Sequence, residues 1–233
     1  MARPYNAQIT RRREGKNVEV PIDQVVSLLH EAAFGTLATH ACALPGYPYA
    51  TVVPFVTDPA GAPVICVSAL AEHTRNLLAD ARVSLSVLQP GATDVQNARR
   101  LTLVGDAARF EPNADELARY LRYEPAAKPL LALDFQFFRI RPTAIRFIGG
   151  VGRMGWIGAA AWDALPQVPP GIEAGIAQAV SLAAPGGVRV LGVDGYGIDY
   201  ESAGRRGRRG FPHAPIALDA LEATALALAA SLD

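Results

Sequence analysis

The residue types best suited to chemistry are concentrated where a predicted strand ends and a predicted helix begins. An apolar run over 64–67 precedes them, and residues 72–79 have helical spacing. The side chains at this junction are Ser68, His73, Thr74, Arg75 and Asn76. The start of a helix presents unpaired N–H groups and partial positive charge, and arginine adds a fork of donors, so the junction suits a phosphate. The alternative is an ordinary capped helix with solvated side chains, because no glycine-rich phosphate loop accompanies it.

The elements that position this junction are mostly strands with short links. A helix is predicted from Pro21 to the residues before Gly35, and further helices over 115–123 and 126–133. Strands are predicted over 35–40, 48–57, 63–68, 82–89, 100–111 and 135–148, with the last one bent at Pro142. Strands followed by helices grouped between the late strands predict an antiparallel barrel with helical additions.

Several segments resemble the pyridoxamine-5′-phosphate-oxidase-like, FMN-binding split-barrel superfamily, and more narrowly its haem-utilisation (HugZ-like) branch. Residues 68–82 are similar to the run S-x-L-A-x-H-T-x-N-L-x-x-D-x-R that follows the third strand in that branch. Residues 35–39 and 47–55 resemble the first two barrel strands, and 147–157 resembles the segment GGFGRA-x-W that ends the barrel. Together with 100–105, the resemblance covers residues 20–160.

The resemblance implies a mainly β, α+β fold. It consists of an antiparallel Greek-key split β-barrel with flanking helices, followed by a small α/β domain. We expect an N-terminal arm over 1–20, the FMN-binding-like barrel over 21–165, and the C-terminal domain over 171–233 after a proline-rich linker. Within the last domain the pattern predicts a helix over 172–183, strands over 188–194 and 196–201, a basic turn, and a helix over 217–232.

In the flavin interpretation, the resemblance assigns cofactor contacts to several segments of the barrel. The second strand runs along the flavin ring, the junction and the next strand hold the phosphate, and the last loop closes the pocket with an aromatic ring. The residues assigned in this way are Thr51, Val53, Pro54, Ser68, His73, Thr74, Arg75, Asn76, Arg82, Ser84, Arg153 and Trp156. The side chains of Val52 and Val53 are expected in the strand core, and no catalytic residue is assigned.

The C-terminal domain departs from the branch that it resembles. Relatives carry an H-M-N-x-D-H motif on the first helix of this domain, whereas residues 175–180 read Gly-Ile-Ala-Gln-Ala-Val. His213 follows the basic run 205–209, and in haem-binding relatives a C-terminal histidine can ligate iron. In the haem interpretation the basic run of this chain pairs with the haem propionates. The alternative for this run is a solvated or disordered turn. His30 is predicted to be structural and His40 to face solvent.

Composition argues against several classes of partner. Basic and acidic residues number 22 each, so the zero net charge gives no bulk argument for nucleic acid or a membrane surface. Two cysteines predict no disulfide framework and fit a reducing cytoplasm, and neither has zinc-site spacing. The basic N-terminus lacks a signal-peptide core, and no apolar run reaches the roughly 20 residues of a spanning helix. We therefore expect a cytoplasmic protein that binds neither nucleic acid nor membrane.

Three functions follow from these features. The first is an FMN-dependent oxidoreductase of unknown substrate, in which the flavin supplies the redox chemistry. The second is a haem-binding or haem-degrading protein of the same fold. The third is a non-enzymatic, dimeric ligand-binding scaffold. Because split barrels pair with the cofactor between subunits, a homodimer is expected in each case. The sequence leaves the substrate open, as well as the choice between FMN and a deazaflavin.

Overall fold

The computed structural model describes residues 20–150 and 153–233, so nearly all of the predicted arm lies outside the described residues. The first elements are α1 (Ile22–Glu31), β1 (Phe34–His40), β2 (Pro48–Pro54), β3 (Val56–Thr57), β4 (Pro63–Ser68), α2 (Glu72–Ala79), β5 (Arg82–Leu88) and β6 (Arg100–Phe110). Then follow α3 (Ala114–Tyr123), a 3-10 helix (Pro125–Ala132), β7 (Phe135–Ile148), β8 (Met154–Gly158) and α4 (Ala159–Asp163). The last elements are α5 (Pro170–Ala183), β9 (Val188–Asp194), β10 (Gly197–Ser202), β11 (Arg205–Gly210) and α6 (Leu218–Ala229).

An antiparallel sheet of eight strands makes up the first part of the chain. Its strand order is β2-β1-β5-β6-β7-β4-β3, and β8 pairs with β7. The run 48–57 breaks at the buried Phe55, so that its first part pairs with β1 and its last two residues pair with β4. The sheet therefore curls back on itself, which confirms the antiparallel split barrel and the α+β class predicted from the sequence.

Strand alternation fills the inside of this barrel. Successive side chains of a strand point to opposite faces, so every second residue of the central strands enters the core. The core includes Leu37, Val53, Val83, Leu85, Val87, Leu101, Leu103, Phe138, Ile140, Ile145 and Phe147. Helix α1 adds Val25 and Leu29 from its apolar face. None of the described helices is long and apolar enough to cross a membrane.

A smaller sheet, in the order β11-β10-β9, follows the barrel. Helices α5 and α6 cover one face, where Val180 and Leu221 pack against Ile198. The other face meets the barrel helices, since Leu191 packs against Tyr120 of α3. The basic run 205–209, expected as a turn, is instead part of strand β11.

Two of the four arginines of β11, Arg206 and Arg208, are engaged in the junction with the barrel. Arg206 donates to the backbone oxygens of Ala32 and Tyr123, each 3.1 Å away, at the ends of α1 and α3. Guanidinium groups satisfy the free carbonyl groups at helix C-termini, so Arg206 closes two helices at once. This explains why a charged run forms a partly buried strand.

A buried polar cluster joins the two sheets at this junction. Asp199 of β10 is fully buried and lies 2.6 Å from His30 Nδ1, and it accepts a hydrogen bond of 2.6 Å from the Tyr123 hydroxyl. Arg208 of β11, with 1% of its side chain exposed, pairs with both Asp199 and Asp194. His30 Nε2 lies 3.3 Å from Asp194, so its ring is held by carboxylates on both sides. The prediction that His30 is structural agrees with these contacts.

Candidate cofactor-binding site

The junction of β4 and α2 is built by the hydroxyl groups of Ser68 and Thr74. Thr74 is fully buried, and its Oγ1 donates to the Ser68 backbone oxygen at 2.6 Å. Ser68 Oγ accepts from Leu70 N–H at 3.2 Å and donates to the carboxylate of Asp134 at the same distance. Both hydroxyl groups therefore shape the turn that begins the helix.

Asn76 connects α2 with strand β1 and with the loop that follows it. Its side chain is fully buried, Nδ2 donates to Thr39 Oγ1 at 2.9 Å, and Oδ1 accepts from Cys42 N–H at 2.9 Å. Because both ends of the amide are engaged inside the protein, Asn76 holds the helix against the barrel.

Replacing Asn76 by alanine is expected to lower the free energy of unfolding by about 2 kcal/mol, since the buried Thr39 hydroxyl and the partly buried Cys42 N–H lose their hydrogen bonds. Urea denaturation monitored by circular dichroism measures this loss. The matched control is Arg75→Ala on the same helix. The Arg75 side chain is mostly exposed, so its loss should change the free energy of unfolding by less than about 0.5 kcal/mol. Equal effects of the two changes would contradict the structural role of Asn76.

The two arginines of the predicted phosphate site are exposed and paired with carboxylates. Arg75 pairs with Glu72 in the first turn of α2, and Arg82 pairs with Asp80 through Nε at 2.9 Å. Hydrogen bonding from Arg82 holds the pKa of the Asp80 carboxyl well below its usual range. Each guanidinium thus already has an anionic partner, although surface pairs of this kind are individually weak.

His73 occupies the second position of α2 and is half-buried. Its Nε2 is buried and has no hydrogen-bond partner among residues 20–150 and 153–233. Burial lowers the pKa of His73, because the charged ring loses solvation. The ring is therefore neutral at about pH 7.

Strand β2, which was predicted to run along the flavin ring, is an edge strand of the sheet and pairs with β1. Thr51 is half-buried, Val53 is buried in the barrel core, and Pro54 is exposed. The expectation that Val52 belongs to the core is wrong, since 62% of it is exposed. Alternation puts Val52 on the face opposite to Val53, and no described element covers that face.

The exposed side of the barrel sheet carries aligned rows of side chains, and we call it the outer face. One row of paired residues consists of Val52, Thr36, Ser86, Thr102, Arg146 and Trp156. The next row consists of Ala50, Ala38, Ser84, Val104, Ala144 and Gly158, so its side chains are mostly small. The predicted residue Ser84 therefore lies on the outer face, whereas the predicted residues Thr74 and Asn76 are buried.

Trp156 and Arg146 form an aromatic and cationic edge of the outer face. Trp156 of β8 is 49% exposed, and the Arg146 guanidinium lies 5.7 Å from its ring centroid. Arg153 is exposed in the turn before β8, where its N–H donates to the Gly150 oxygen at 3.2 Å. Gly150 has φ +110°, which favours glycine in this turn. Residues 151 and 152 of the predicted segment lie outside the described residues.

His213 is exposed in a turn that is attached to the C-terminal sheet. The turn continues to Ile216, whose N–H donates to the Gly195 oxygen at 2.7 Å, between β9 and β10. In the part of the chain that the structure describes, no hydrogen bond or ion pair joins His213 to the α2 junction or to Trp156. The neighbouring arginines Arg206 and Arg208 are engaged in the junction between the two sheets.

Sequence reasoning missed Arg146 and the carboxylates around α2. Alternation along 135–148 places Arg146 on the face opposite to Ile145 and Phe147, which are buried. The spacings Glu72 to Arg75 and Asp80 to Arg82 are also visible in the sequence. Asp134 is remote from Ser68 in the chain, so no local signal indicates their contact.

Comparison with known proteins gives consistent matches. The family model for pyridoxamine 5′-phosphate oxidase matches residues 22–149. The chain is 33% identical over 133 residues to the chloroplastic non-canonical heme oxygenase HOZ of Arabidopsis thaliana. This match covers 56% of the chain and 41% of that protein, so the chain spans less than half of its length.

Two solved structures resemble the chain over most of its length. A protein of unknown function from Agrobacterium tumefaciens superposes with a TM-score of 0.70 at 28% identity, covering 88% of this chain and 94% of that one. A heme binding protein from Mycobacterium smegmatis superposes with a TM-score of 0.58 at 31% identity, covering 89% and 95% respectively.

Proposed function

This chain belongs to the pyridoxamine 5′-phosphate oxidase family, in its haem-utilisation branch, and from that membership we propose that it binds haem on the outer face of its barrel. One observation carries the proposal. Trp156 is exposed beside Arg146, and neither Arg146 nor Arg153 has a carboxylate within ion-pair distance among the described residues. A planar ligand with acidic side chains fits such an edge.

The residues of this edge match the two chemical parts of haem. The indole of Trp156 offers a face for stacking on an apolar ring, and exposed aromatic rings commonly serve this purpose. The guanidinium groups of Arg146 and Arg153 can pair with the propionates, since arginine binds carboxylates through two donors. His40 and His213 are both exposed and are the candidate iron ligands. When bound, haem supplies the iron that would react with oxygen.

The names of two relatives support this proposal. One is a heme binding protein that shares nearly the whole length of the chain, and the other is a non-canonical heme oxygenase that shares part of it. FMN-dependent oxidoreductase chemistry is the competing proposal for the same fold.

Both cysteines are unpaired thiols, which supports a reducing, cytoplasmic location.

We propose that the ligand lies between two copies of the chain. Phe34, Val52 and Trp156 expose 64%, 62% and 49% of their surface, and Val52 and Trp156 lie at the two ends of one row of the outer face. Large exposed apolar side chains on one face are typical of an interaction surface. Light scattering after size-exclusion chromatography should therefore give twice the 24.6 kDa of the chain. A monomer in both the free and the haem-bound protein would contradict this arrangement.

Haem titration of the purified protein tests the function. We expect a shifted Soret band that survives desalting, and Trp156→Ala should weaken haem affinity about tenfold, equivalent to about 1.4 kcal/mol. The control is Leu182→Ala on α5, which also removes a large apolar side chain that is 84% exposed. This residue lies on a helix that covers the C-terminal sheet and not on the outer face of the barrel.

The outcomes separate the proposals. A protein that takes up FMN but gives no Soret band would contradict haem binding and favour the flavoprotein. Equal haem affinity in Trp156→Ala and Leu182→Ala would place the ligand away from the Trp156 edge. The spectra of His40→Ala and His213→Ala identify the iron ligand, because loss of a ligand changes the Soret position.

A further inference from the structure

We infer that the carboxylates of Glu72 and Asp134 determine ligand choice in this chain, by excluding phosphate-bearing cofactors such as FMN from the start of α2. The inference rests on the proposed function because both concern which anionic ligand this chain binds, and it adds that phosphate-bearing ligands are excluded. It is carried by the hydrogen bonds and charges of the junction itself.

The first step concerns the polar groups that a phosphate would need. Thr74 Oγ1 and both amide atoms of Asn76 are used in hydrogen bonds between fully buried side chains and their partners. Turning them toward a ligand would break these bonds, which is unfavourable because Thr74, Asn76 and the Thr39 partner are buried. The phosphate site expected from the sequence motif is therefore closed at these two positions.

The second step concerns charge. At the start of α2, Arg75 contributes one positive charge, while Glu72 and Asp134 contribute two negative charges, so the net charge is −1. Glu72 pairs with Arg75, and Asp134 accepts the Ser68 hydroxyl that would otherwise be available to an anion. A phosphate monoester carries a charge of about −1.5 to −2 at neutral pH, so it meets repulsion here. The partial positive charge of the helix start is already balanced by Glu72.

The third step compares this junction with the Trp156 edge. There, Arg146 and Arg153 have no carboxylate within ion-pair distance in the described part of the chain, so both positive charges are unpaired among these residues. The α2 junction and the Trp156 edge thus differ in the sign of their charge. Carboxylates of a planar ligand are accepted at the Trp156 edge, while a phosphate tail is refused at the α2 junction.

The test compares FMN with riboflavin, which has the same ring system but lacks the phosphate. Quenching of flavin fluorescence at low ionic strength gives both affinities for the full chain and for the double variant Glu72→Gln, Asp134→Asn. We expect the wild-type chain to bind FMN no more tightly than riboflavin. The double variant should raise the ratio of FMN to riboflavin affinity about tenfold, because two repulsive charges are removed.

The matched control is the double variant Glu111→Gln, Asp163→Asn, which removes the same charge from exposed positions elsewhere and should leave the ratio unchanged. The inference is overturned if the wild-type chain binds FMN tenfold more tightly than riboflavin, or if Glu72→Gln, Asp134→Asn gains no FMN affinity. Haem titration of the wild-type chain is scored separately. Failure of haem binding would overturn the proposed function, while the flavin ratio still decides whether the carboxylates exclude phosphate.

Discussion

Replacing Asp199 by asparagine is expected to lower the free energy of unfolding by about 3–5 kcal/mol, as breaking a buried ion pair usually does. Asp199 is fully buried and is the shared acceptor for His30, Tyr123 and Arg208. Asparagine keeps the size of the side chain but removes its charge, so the buried Arg208 retains Asp194 as its only carboxylate partner among the described residues. Urea denaturation of the full chain measures the loss.

A neighbouring ion pair provides the control for this prediction. Glu201 lies in the same strand and pairs with Arg189 at 2.9 Å, but 36% and 40% of these side chains are exposed. Glu201→Gln should therefore cost less than about 1 kcal/mol, as is typical of surface pairs. Similar losses for Glu201→Gln and Asp199→Asn would show that burial of the cluster does not determine its contribution.

The pH dependence of the Asp199 contribution has a definite sign. Burial acts to raise the pKa of this carboxyl, but Arg208 and His30 outweigh burial, so the pKa lies far below its usual range. A carboxyl whose pKa is lowered by folding stabilises the protein above its unfolded pKa of about 3.9, and that contribution disappears as the pH falls toward the folded pKa. The stability difference between wild type and Asp199→Asn should therefore shrink as the pH falls below about 4.

The barrel was predictable from the sequence because its signals are local. Alternation and turn residues gave strands over 35–40 and 63–68 that the structure reproduces within a residue. The predicted strand 48–57 is continuous except at Phe55, where the chain passes from one edge of the sheet to the other. Strand β11 was not predictable in this way. It pairs with the preceding β10 in a hairpin, but its run of arginines and glycines lacks the apolar alternation of a strand. One partner of these arginines, the end of α1, comes from a distant part of the chain.

The candidate site shows the same division between local and distant information. The position of Ser68, Thr74 and Asn76 at a strand-to-helix junction followed from spacing alone. Whether such polar residues face a ligand or the interior depends on partners outside the segment, and Thr39 and Cys42 turn Asn76 inward. Residue type does not distinguish the two cases, because the groups that bind a phosphate also bind backbone and side-chain atoms.

Gly105 lies at a bulge in the barrel, and Gly105→Ala is expected to destabilise the protein by about 3 kcal/mol through overpacking. The register between β6 and β7 shifts after Val104, and Gly105 pairs with Pro142, where the sequence predicted a bend. A Cβ atom at Gly105 would lie 2.0 Å from the Arg141 carbonyl oxygen and 2.9 Å from its carbon. These are backbone atoms, so they cannot move aside as a flexible side chain would.

The control for this change is Gly158→Ala, because a Cβ there meets no atom within 4 Å and the backbone does not have positive φ. It should change the free energy of unfolding by less than about 0.5 kcal/mol. The bulge also sets the course of the part of β7 that carries Arg146 and pairs with Trp156, so Gly105→Ala should weaken haem binding as well. If Gly105→Ala has the stability of Gly158→Ala and the haem affinity of the wild type, the strands relax around the new methyl group and the bulge does not position the Trp156 edge.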